Sequence, residues 1–268
     1  MVVVIKLGGR VMDEALSEDA LNDLDAVSKQ SQLILVHGGG NKVTSFAERL
    51  GIEQKFITSP EGFRSRYTDA ETVKIYTMVM AGQVNKEIVR RLLTKKIPSI
   101  GLSGLDGGLI RAERKKRLIV KDERGRRVAI DGGYTGSVTA IEKKLLETLL
   151  NGGYVPVIAP IALSEENEAL NIDGDRTAAH IAGTLHADLL LLMTDVDGVS
   201  LNDAIVRRMT ANEAKNSISN LGPGMITKVY AALEALSMGV EKVTIAPGSH
   251  ENPFTSAIKD ESGTAIIK

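Results

Sequence analysis

Short apolar runs rich in β-branched residues recur along the chain, and turns or helical patterns separate them. The runs cover Val2–Leu7, Leu33–Val36, Tyr154–Ile158, Leu189–Met193 and Lys242–Ile245. Because each run is apolar throughout and does not alternate with polar residues, the pattern is typical of strands buried on both faces. We therefore expect one sheet that is covered by helices on both sides.

Three segments show the spacing of amphipathic helices. Their apolar positions are Val43, Phe46, Ala47 and Leu50, then Val73, Tyr76 and Met80, and finally Ile226, Val229, Tyr230, Leu233 and Leu236. The first helix is expected to end at Gly51, and the second to begin at a capping box of Thr68 and Glu71. Helices that alternate with strands predict an α/β protein with right-handed βαβ units and a mostly parallel sheet.

One segment departs from this alternation. Between Ile110 and Ile130, two apolar-flanked stretches surround Asp122–Gly125, which predicts a β-hairpin. From Arg111 to Arg127 there are nine cationic and three acidic side chains, a net charge of +6, whereas the whole chain has a formal charge of −1. Such a run is commonly a solvated face, but its density also suits an acidic macromolecular partner.

Composition sets broad limits on function. The 268 residues are 43% hydrophobic and 25% charged, as in an ordinary globular protein of one domain or two joined lobes. The absence of cysteine excludes disulfides, thiolate metal sites and a thiol nucleophile. The net charge predicts no nucleic-acid partner. We see no signal peptide, and the apolar runs are far shorter than the ~20 residues of a membrane span, so we expect a cytoplasmic protein without membrane contact.

Two glycine-rich motifs follow predicted strands, at the edge where α/β sheets bind ligands. Lys6-Leu-Gly-Gly9 offers backbone N–H groups beside a lysine, although a plain turn with a surface lysine has the same pattern. His37-Gly-Gly-Gly40 precedes a helix, where free N–H groups bind phosphate or carboxylate, and a structural turn seldom needs three glycines. We expect His37 itself to be a packed, hydrogen-bonded residue and not a catalyst.

Three further motifs could carry chemistry. Asn171-Ile-Asp-Gly-Asp175 precedes a helix, where Asp175 could simply be an N-cap. Thr194–Val199 follows a strand and could be a Ca²⁺-like loop or a nucleotide-binding turn, although it is too short for an EF-hand. Gly222–Lys228 is a glycine-rich turn that enters a helix. No Walker A loop and no dinucleotide-binding glycine pattern is present in the sequence.

In this order, the five motifs resemble those of the amino acid kinase family, which includes N-acetylglutamate kinase, and the resemblance covers essentially the whole chain. It implies a three-layer αβα sandwich in which residues 1–268 form a single kinase domain, together with the basic hairpin. The N-terminal lobe, about residues 1–160, would bind the acyl acceptor, and the C-terminal lobe, about residues 161–268, would bind ATP. It also implies ATP and Mg²⁺ as cofactors, no metal site held by the protein alone, and a homodimer.

The resemblance assigns roles to individual residues. Lys6 and Lys228 would stabilise the transferring phosphoryl group, Gly9 and Gly39 would donate backbone N–H bonds to it, and Asp175 would hold the lysines in place. The acceptor would be bound by Gly39, Gly40, Arg66 and Asn171. ATP would contact Asp195, Val196, Asp197, Gly198, Val199 and Gly224. An acceptor carboxylate has a pKa near 4.3 and is already ionised at neutral pH, so the chemistry needs no general base.

Several local segments also resemble the archaeal branch that phosphorylates an amino acid attached to a carrier protein. They include Ser59–Thr68, Ala112–Arg117 and Gly132–Gly136. The substrate there is 2-aminoadipate or glutamate, joined to a small acidic amino-group carrier protein. The resemblance implies that the carrier docks on Arg64, Arg114, Lys115, Lys116, Arg117, Arg124, Arg126 and Arg127.

Three alternatives remain open from the residues. An ordinary N-acetylglutamate kinase would act on the free small molecule. A catalytically idle relative would bind nucleotide as a regulatory module, but such a module has no use for two lysines that stabilise a transition state. Nucleic-acid binding by the hairpin lacks the interleaved aromatic residues that base stacking needs.

Overall fold

A computed structural model of the chain describes residues 1–9, 11–122 and 124–268, with the side chain of Asp13 left aside. The strands are β1 (Val2–Leu7), β2 (Gln32–His37), β3 (Phe56–Thr58), β4 (Arg64–Arg66), β5 (Ser99–Ser103), β6 (Ile110–Arg114), β7 (Arg117–Lys121), β8 (Arg127–Asp131), β9 (Gly136–Ile141), β10 (Val155–Ala159), β11 (Ile161–Leu163), β12 (Ala169–Asn171), β13 (Leu189–Thr194), β14 (Ser200–Leu201), β15 (Ala204–Ile205), β16 (Arg208–Thr210), β17 (Lys242–Pro247) and β18 (Thr264–Ile267).

Helices connect most of these strands. They are α1 (Met12–Ala15), α2 (Glu18–Ser28), α3 (Gly40–Arg49), α4 (Ala70–Thr77), α5 (Asn85–Thr94), α6 (Lys143–Asn151), α7 (Gly174–Leu185), α8 (Ala211–Ser217), α9 (Pro223–Ser237) and α10 (Pro253–Ile258). A π-helical segment, Met78–Val84, joins α4 to α5, and short 3₁₀ turns cover Asp106–Gly108 and Ile218–Asn220. In the part of the chain described, none of these helices has both the length and the apolar character that a membrane crossing requires.

The central sheet has eight strands in the order β16-β18-β17-β13-β1-β2-β10-β5. All neighbouring pairs are parallel except β17 and β18, which are antiparallel. The five strands predicted from apolar runs are all in this sheet, so the predicted fold class is confirmed. Strand β5 was not predicted, and its residues are mostly half-buried at the edge of the sheet.

Each face of the sheet is covered by its own hydrophobic core. Val3, Ile5 and Leu7 of β1 pack with α2, α3 and α10 on one face, whereas Val4 packs with α7 and α9 on the other. Because successive side chains of a strand point to opposite faces, Lys6 shares the face of Val4. The lysine at the end of β1 is therefore directed toward α7 and α9.

The helix ends partly differ from the predictions. Helix α3 ends before Gly51, which has a φ of +73°, as expected. The predicted capping box at Thr68 is wrong: Asp69 caps α4 by accepting from the Thr72 N–H at 2.8 Å. Both residue types are good N-caps, and the Thr68 hydroxyl instead contacts Arg66 and Asn171. Leu50 is exposed and does not belong to a buried stripe.

The basic hairpin is present, but it is shorter than predicted. Strands β7 and β8 pair antiparallel from Arg117 opposite Asp131 to Lys121 opposite Arg127. Strand β6 instead joins a second, four-stranded sheet in the order β12-β11-β6-β9. Arg111 and Arg114 therefore lie outside the hairpin. Glu123, which was counted in its charge, lies outside the described residues.

Candidate active site

Three charged side chains from distant parts of the chain meet at one point. The Lys6 ammonium lies 2.6 Å from one carboxylate oxygen of Asp175, and the Lys228 ammonium lies 3.0 Å from the other. Lys6 is near the end of β1, Asp175 is in the first turn of α7, and Lys228 is in the second turn of α9. All three side chains are nearly buried. The structure thus brings together the two lysines and the aspartate that the sequence singled out.

These three groups shift one another's pKa. Burial works to raise the pKa of Asp175, but the two lysines outweigh it and hold that pKa well below its usual range. Burial works to lower the pKa of Lys6, yet the Asp175 carboxylate reverses this effect and raises it. The pKa of Lys228 is lowered, first by burial and then by the charge of Lys6. These three groups together carry one net positive charge, which suits a phosphoryl group.

The two predicted glycine turns lie against each other beside these groups. The Gly38 N–H donates to the Leu7 carbonyl at 2.8 Å. A Cβ atom on Gly9 would lie 3.0 Å from the Gly39 nitrogen, and one on Gly174 would lie 3.4 Å from the Cε of Lys6. Gly39 has a φ of +143° immediately before α3, a conformation that favours glycine. The glycine turn before α3 therefore packs against the glycine turn that follows Lys6.

A cleft of about 1360 Å³ lies next to this cluster. Of the four residues predicted to bind the acceptor, Gly40, Arg66 and Asn171 line it and Gly39 does not. Lys6, Asp175 and Lys228 do not line the cleft themselves. Gly174, which precedes Asp175, and Thr227, which precedes Lys228, do line it. The cleft therefore reaches the edge of the charged cluster.

Arg66 is held firmly at the cleft wall. One terminal nitrogen donates to the Gly40 carbonyl at 2.8 Å and to the Thr44 hydroxyl at 2.9 Å, and the other donates to Gln54. Within the described residues, these bonds use three of the five guanidinium N–H donors, so two remain for an acceptor. Asn171 is positioned similarly, because its amide donates to the Thr68 hydroxyl at 2.9 Å.

The residues predicted to bind ATP lie elsewhere at the same edge of the sheet. The turn Asp195–Val199 follows β13, the strand beside β1, and Gly198 has a φ of +142°. The Val199 N–H donates to the Thr264 hydroxyl at 2.8 Å, which fixes the end of this turn. Gly224 is in the first turn of α9 and has open space where a Cβ would be. None of these described residues lines the cleft of the acceptor candidates.

The residues predicted to dock a carrier are divided among three places. Arg64 and Lys115 line the cleft, and Arg114 and Lys116 line an adjoining pocket of about 400 Å³. The exposed hairpin carries Arg117, Arg124, Arg126 and Arg127. Arg114 is already engaged, since it donates to both Glu168 oxygens at 3.0 and 2.9 Å. Arg126 forms an ion pair with Asp122 at 2.8 Å.

Asp173 was not predicted as a site residue. Its side chain caps α7 by accepting from the Arg176 N–H at 2.9 Å, and it lines the cleft. The Asp173 side chain is in contact with the cleft, but protein surrounds its carboxylate. The pKa of Asp173 is raised, mainly by this loss of solvent and also by repulsion from Asp175. A signal was present in the sequence, because aspartates stand on both sides of Gly174. Only one of them can lie between the two lysines, so the other is free for another role at the site.

An aromatic contact across the cleft was also missed. The rings of Phe63 and Tyr230 lie 5.3 Å apart between their centroids and join the loop after β3 to α9. Nearby, Arg176 of α7 pairs with Glu234 of α9 at 2.6 Å. These contacts fix α9, which carries Lys228, against its surroundings. Phe63 is in a loop and the other three residues are on helices, and no sequence pattern indicates which of them meet.

The chain is similar in sequence to a known protein family and to named relatives. The model of the amino acid kinase family matches residues 1–247. A relative from Metallosphaera sedula, named LysW-aminoadipate/LysW-glutamate kinase, is 45% identical over 99% of this chain and 100% of its own length. A relative of the same name from Saccharolobus solfataricus is 43% identical over 99% of both chains. A relative from Cenarchaeum symbiosum, which bears that name provisionally, is 51% identical over 99% of both.

Solved structures share the fold. The protein smu.665 from Streptococcus mutans has a TM-score of 0.79 and 26% identity, over 99% of this chain and 98% of its own. Carbamate kinase from Giardia lamblia bound to AMP-PNP has a TM-score of 0.67 and 17% identity, over 100% of this chain and 98% of its own. N-acetylglutamate synthase from Neisseria gonorrhoeae has a TM-score of 0.82 and 22% identity, over 100% of this chain and 59% of its own.

Proposed function

Because the chain belongs to the amino acid kinase family, we propose that it transfers the γ-phosphoryl group of ATP to the side-chain carboxylate of a carrier-linked amino acid. The acceptor is 2-aminoadipate, glutamate or both, joined to a small acidic amino-group carrier protein, and the product is an acyl phosphate. The observation that supports this proposal most is the Asp175 carboxylate shared by Lys6 and Lys228 beside two glycine turns. The names of the relatives support the choice of acceptor.

The proposed chemistry follows from the charges. An acceptor carboxylate oxygen attacks the γ-phosphorus, the bond from that phosphorus to the bridging oxygen of ADP breaks, and ADP leaves. Both reactants are anions, so the main task is to align them and neutralise their repulsion. Lys6 and Lys228 supply the positive charge, the N–H groups of Gly9 and Gly39 supply hydrogen bonds, and Asp175 fixes the spacing of the lysines.

The proposed binding sites divide between two lobes. The acceptor binds in the lobe of residues 1–160, against Gly39, Gly40 and Arg66, and also contacts Asn171. ATP binds in the lobe of residues 161–268, at Asp195–Val199 and Gly224. The positions support separate sites for the two substrates, because Gly40, Arg66 and Asn171 share one cleft that the nucleotide candidates do not line, although residues of both lobes line it.

Mg²⁺ is proposed to arrive with ATP. Both oxygens of Asp175 are bound by lysines, and the described residues include no cluster of three His, Asp or Glu side chains suited to a metal. The donor set therefore fits a magnesium ion held mainly by phosphate oxygens, with the exposed Asp173 carboxylate as the nearby protein group of the right type. When bound, the ion neutralises phosphate charge.

A carrier explains the basic surface better than a free acceptor does. N-acetylglutamate needs one or two cations, whereas Arg64, Lys115 and the hairpin arginines extend from the cleft onto the outer surface. The relatives' names also disfavour a free N-acetylglutamate kinase. As the family resemblance implies, we further propose a homodimer, which light scattering of the purified enzyme tests directly.

Replacing Lys6 by alanine separates a kinase from a nucleotide-binding module. Because the lysine is proposed to act mainly in the transition state, Lys6→Ala should lower kcat about 10²–10³-fold while the Kd for ATP changes less than about threefold. Turnover is measured by ADP release and the Kd by calorimetry. Lys74→Ala, at an exposed lysine paired with Glu71, is the control and should keep wild-type values. Equal loss of ATP binding and turnover would favour the binding module.

A further inference from the structure

The peptide that joins Gly38 to Gly39 is central to the proposed transfer, because the Gly39 N–H is expected to contact the phosphoryl group. In a planar trans peptide, the carbonyl of one residue and the N–H of the next point in opposite directions. Any group that fixes the Gly38 carbonyl therefore also fixes the direction of the Gly39 N–H. This argument rests on the proposed function.

His37 fixes that carbonyl. Its Nδ1 lies 2.8 Å from the Gly38 oxygen. A carbonyl oxygen can only accept, so Nδ1 must carry the proton. The ring is fully buried, and burial lowers its pKa to about 4, so it is neutral near pH 7 and its Nε2 is an acceptor.

Asn85 supplies the donor that this tautomer requires. Its Nδ2 lies 3.1 Å from Nε2 of His37, 2.9 Å from the Val157 carbonyl and 3.2 Å from the Leu102 carbonyl. Its Oδ1 accepts from the Lys86 ammonium at 3.2 Å. Nδ2 has two hydrogens for these three acceptors, so one hydrogen is shared between two of them. With the donor at Oδ1, these contacts fix the orientation of the fully buried amide.

The backbone around Asn85 is also unusual. Asn85 begins α5 immediately after the π-helical segment Met78–Val84. Such wide turns are rare and frequently occur at functional sites. A Cβ on Gly39 would lie 3.0 Å from the Met80 sulfur and 3.2 Å from Val84, so the same segment packs directly under the glycine turn.

We propose that His37 and Asn85 are positioning residues for phosphoryl transfer. Asn85 holds His37 in the Nδ1–H tautomer, and this tautomer holds the Gly38–Gly39 peptide with the Gly39 N–H directed at the transferring group. Neither residue touches the substrate. This role goes beyond the packed histidine that the sequence predicted.

The tautomer can be measured without any variant. The chain has four histidines, so the ring nitrogens are resolvable by long-range ¹H–¹⁵N NMR. The proposal predicts a protonated Nδ1 and a bare Nε2 for His37 in the wild type. A protonated Nε2 would overturn it, whether or not the protein is a kinase.

Variants then connect the tautomer to turnover. Asn85→Leu cannot donate to Nε2 and should leave the His37 ring without a fixed orientation, with a kcat about 10²-fold lower and a KM for ATP within about threefold of wild type. His37→Leu, which lacks a donor, should show the same loss. His37→Asn places an amide donor near the position of Nδ1 and should recover most of the kcat.

Val36→Ala is the matched control, since it creates a buried cavity next in the chain without a polar contact to the glycine turn. Wild-type kcat in His37→Leu, or equal kcat losses in His37→Leu and His37→Asn, would overturn the proposal. If the wild type forms no acyl phosphate, the proposed function fails instead, which the tautomer measurement distinguishes.

Discussion

At the scale of single residues, Asp175 carries the most consequential contacts. It lies between two buried ammonium groups, at 2.6 Å from Lys6 and 3.0 Å from Lys228. A buried carboxylate is tolerated here because both of its oxygens are paired. Without it, two like charges would face each other in the protein interior.

Neutralising that carboxylate should damage both turnover and stability. For Asp175→Asn we expect a kcat at least about 10²-fold lower, since the lysines lose their spacing, and a free energy of unfolding lower by about 3 kcal/mol. ADP release and urea denaturation measure the two effects. Glu71→Gln, in an exposed pair with Lys74, is the control and should change neither. A stable and fully active Asp175→Asn protein would contradict the assigned role.

The buried His37 should make stability depend on pH. Its pKa is about 4 in the folded protein, chiefly because of burial and also because of Lys86, and near 6.5 when unfolded. The unfolded state therefore binds the proton first, so stability is full above pH 6.5 and falls as the pH drops toward 4, by at most about 3 kcal/mol. Urea denaturation at several pH values should show a smaller fall for His37→Asn. Identical pH profiles would contradict this expectation.

At the scale of elements, the apolar runs predicted the central strands, and the glycines at strand ends predicted the edge of the sheet where the site lies. A strand buried on both faces is marked by its own residues, so β1, β2, β10, β13 and β17 were evident in the sequence. The partner of a strand is not encoded in the strand itself, which is why β6 was grouped with the hairpin although it pairs with β9. The cap at Asp69 was missed because Thr68 is an equally good candidate one residue earlier.

The candidate site was predictable only in part for a related reason. Motifs at strand ends pointed to Lys6, Asp175 and Lys228, because ligands bind at that edge of α/β sheets. Contacts such as Phe63 with Tyr230 depend on how a loop crosses the cleft, and no periodic pattern encodes that path. The carrier-docking role of the basic residues remains a prediction.

The hairpin gives a prediction at the same scale. Arg114 is engaged with Glu168, so reversing its charge would also break contacts of the fold. Arg124 and Arg127 are exposed on the hairpin and give a cleaner test. Replacing both by glutamate should raise the KM for a carrier-linked acceptor at least about tenfold and weaken its salt dependence, with kcat at saturation nearly unchanged.

The matched control replaces Lys144 and Lys259 by glutamate, which changes the net charge equally at exposed sites away from the hairpin. It should leave the KM for the carrier-linked acceptor within about twofold of wild type. An unaltered KM in the hairpin variant would mean that these arginines form only a solvated surface and do not dock a carrier.

At the scale of the whole molecule, one continuous sheet supports both proposed lobes. Gly40, Arg66 and Asn171 line a cleft of about 1360 Å³ that opens toward the basic hairpin, and the nucleotide candidates follow β13 and begin α9. Lys6 of β1 and Lys228 of α9 meet on the face of the sheet that α7 and α9 cover. A tethered acceptor can enter such a cleft while its carrier stays on the surface.

Aminoadipate and glutamate differ by one methylene, which a pocket distinguishes by only about 1–3 kcal/mol. Both should therefore be compared as carrier-linked substrates.

The most direct measurement is a coupled assay of ADP release with the wild-type enzyme and three acceptors at equal concentration. These are carrier-linked aminoadipate, carrier-linked glutamate and free N-acetylglutamate, with hydroxylamine trapping to detect the acyl phosphate. The structure and its relatives predict turnover with at least one carrier-linked acceptor and a kcat/KM at least about 10²-fold lower for the free compound. Efficient turnover of free N-acetylglutamate alone would contradict the account.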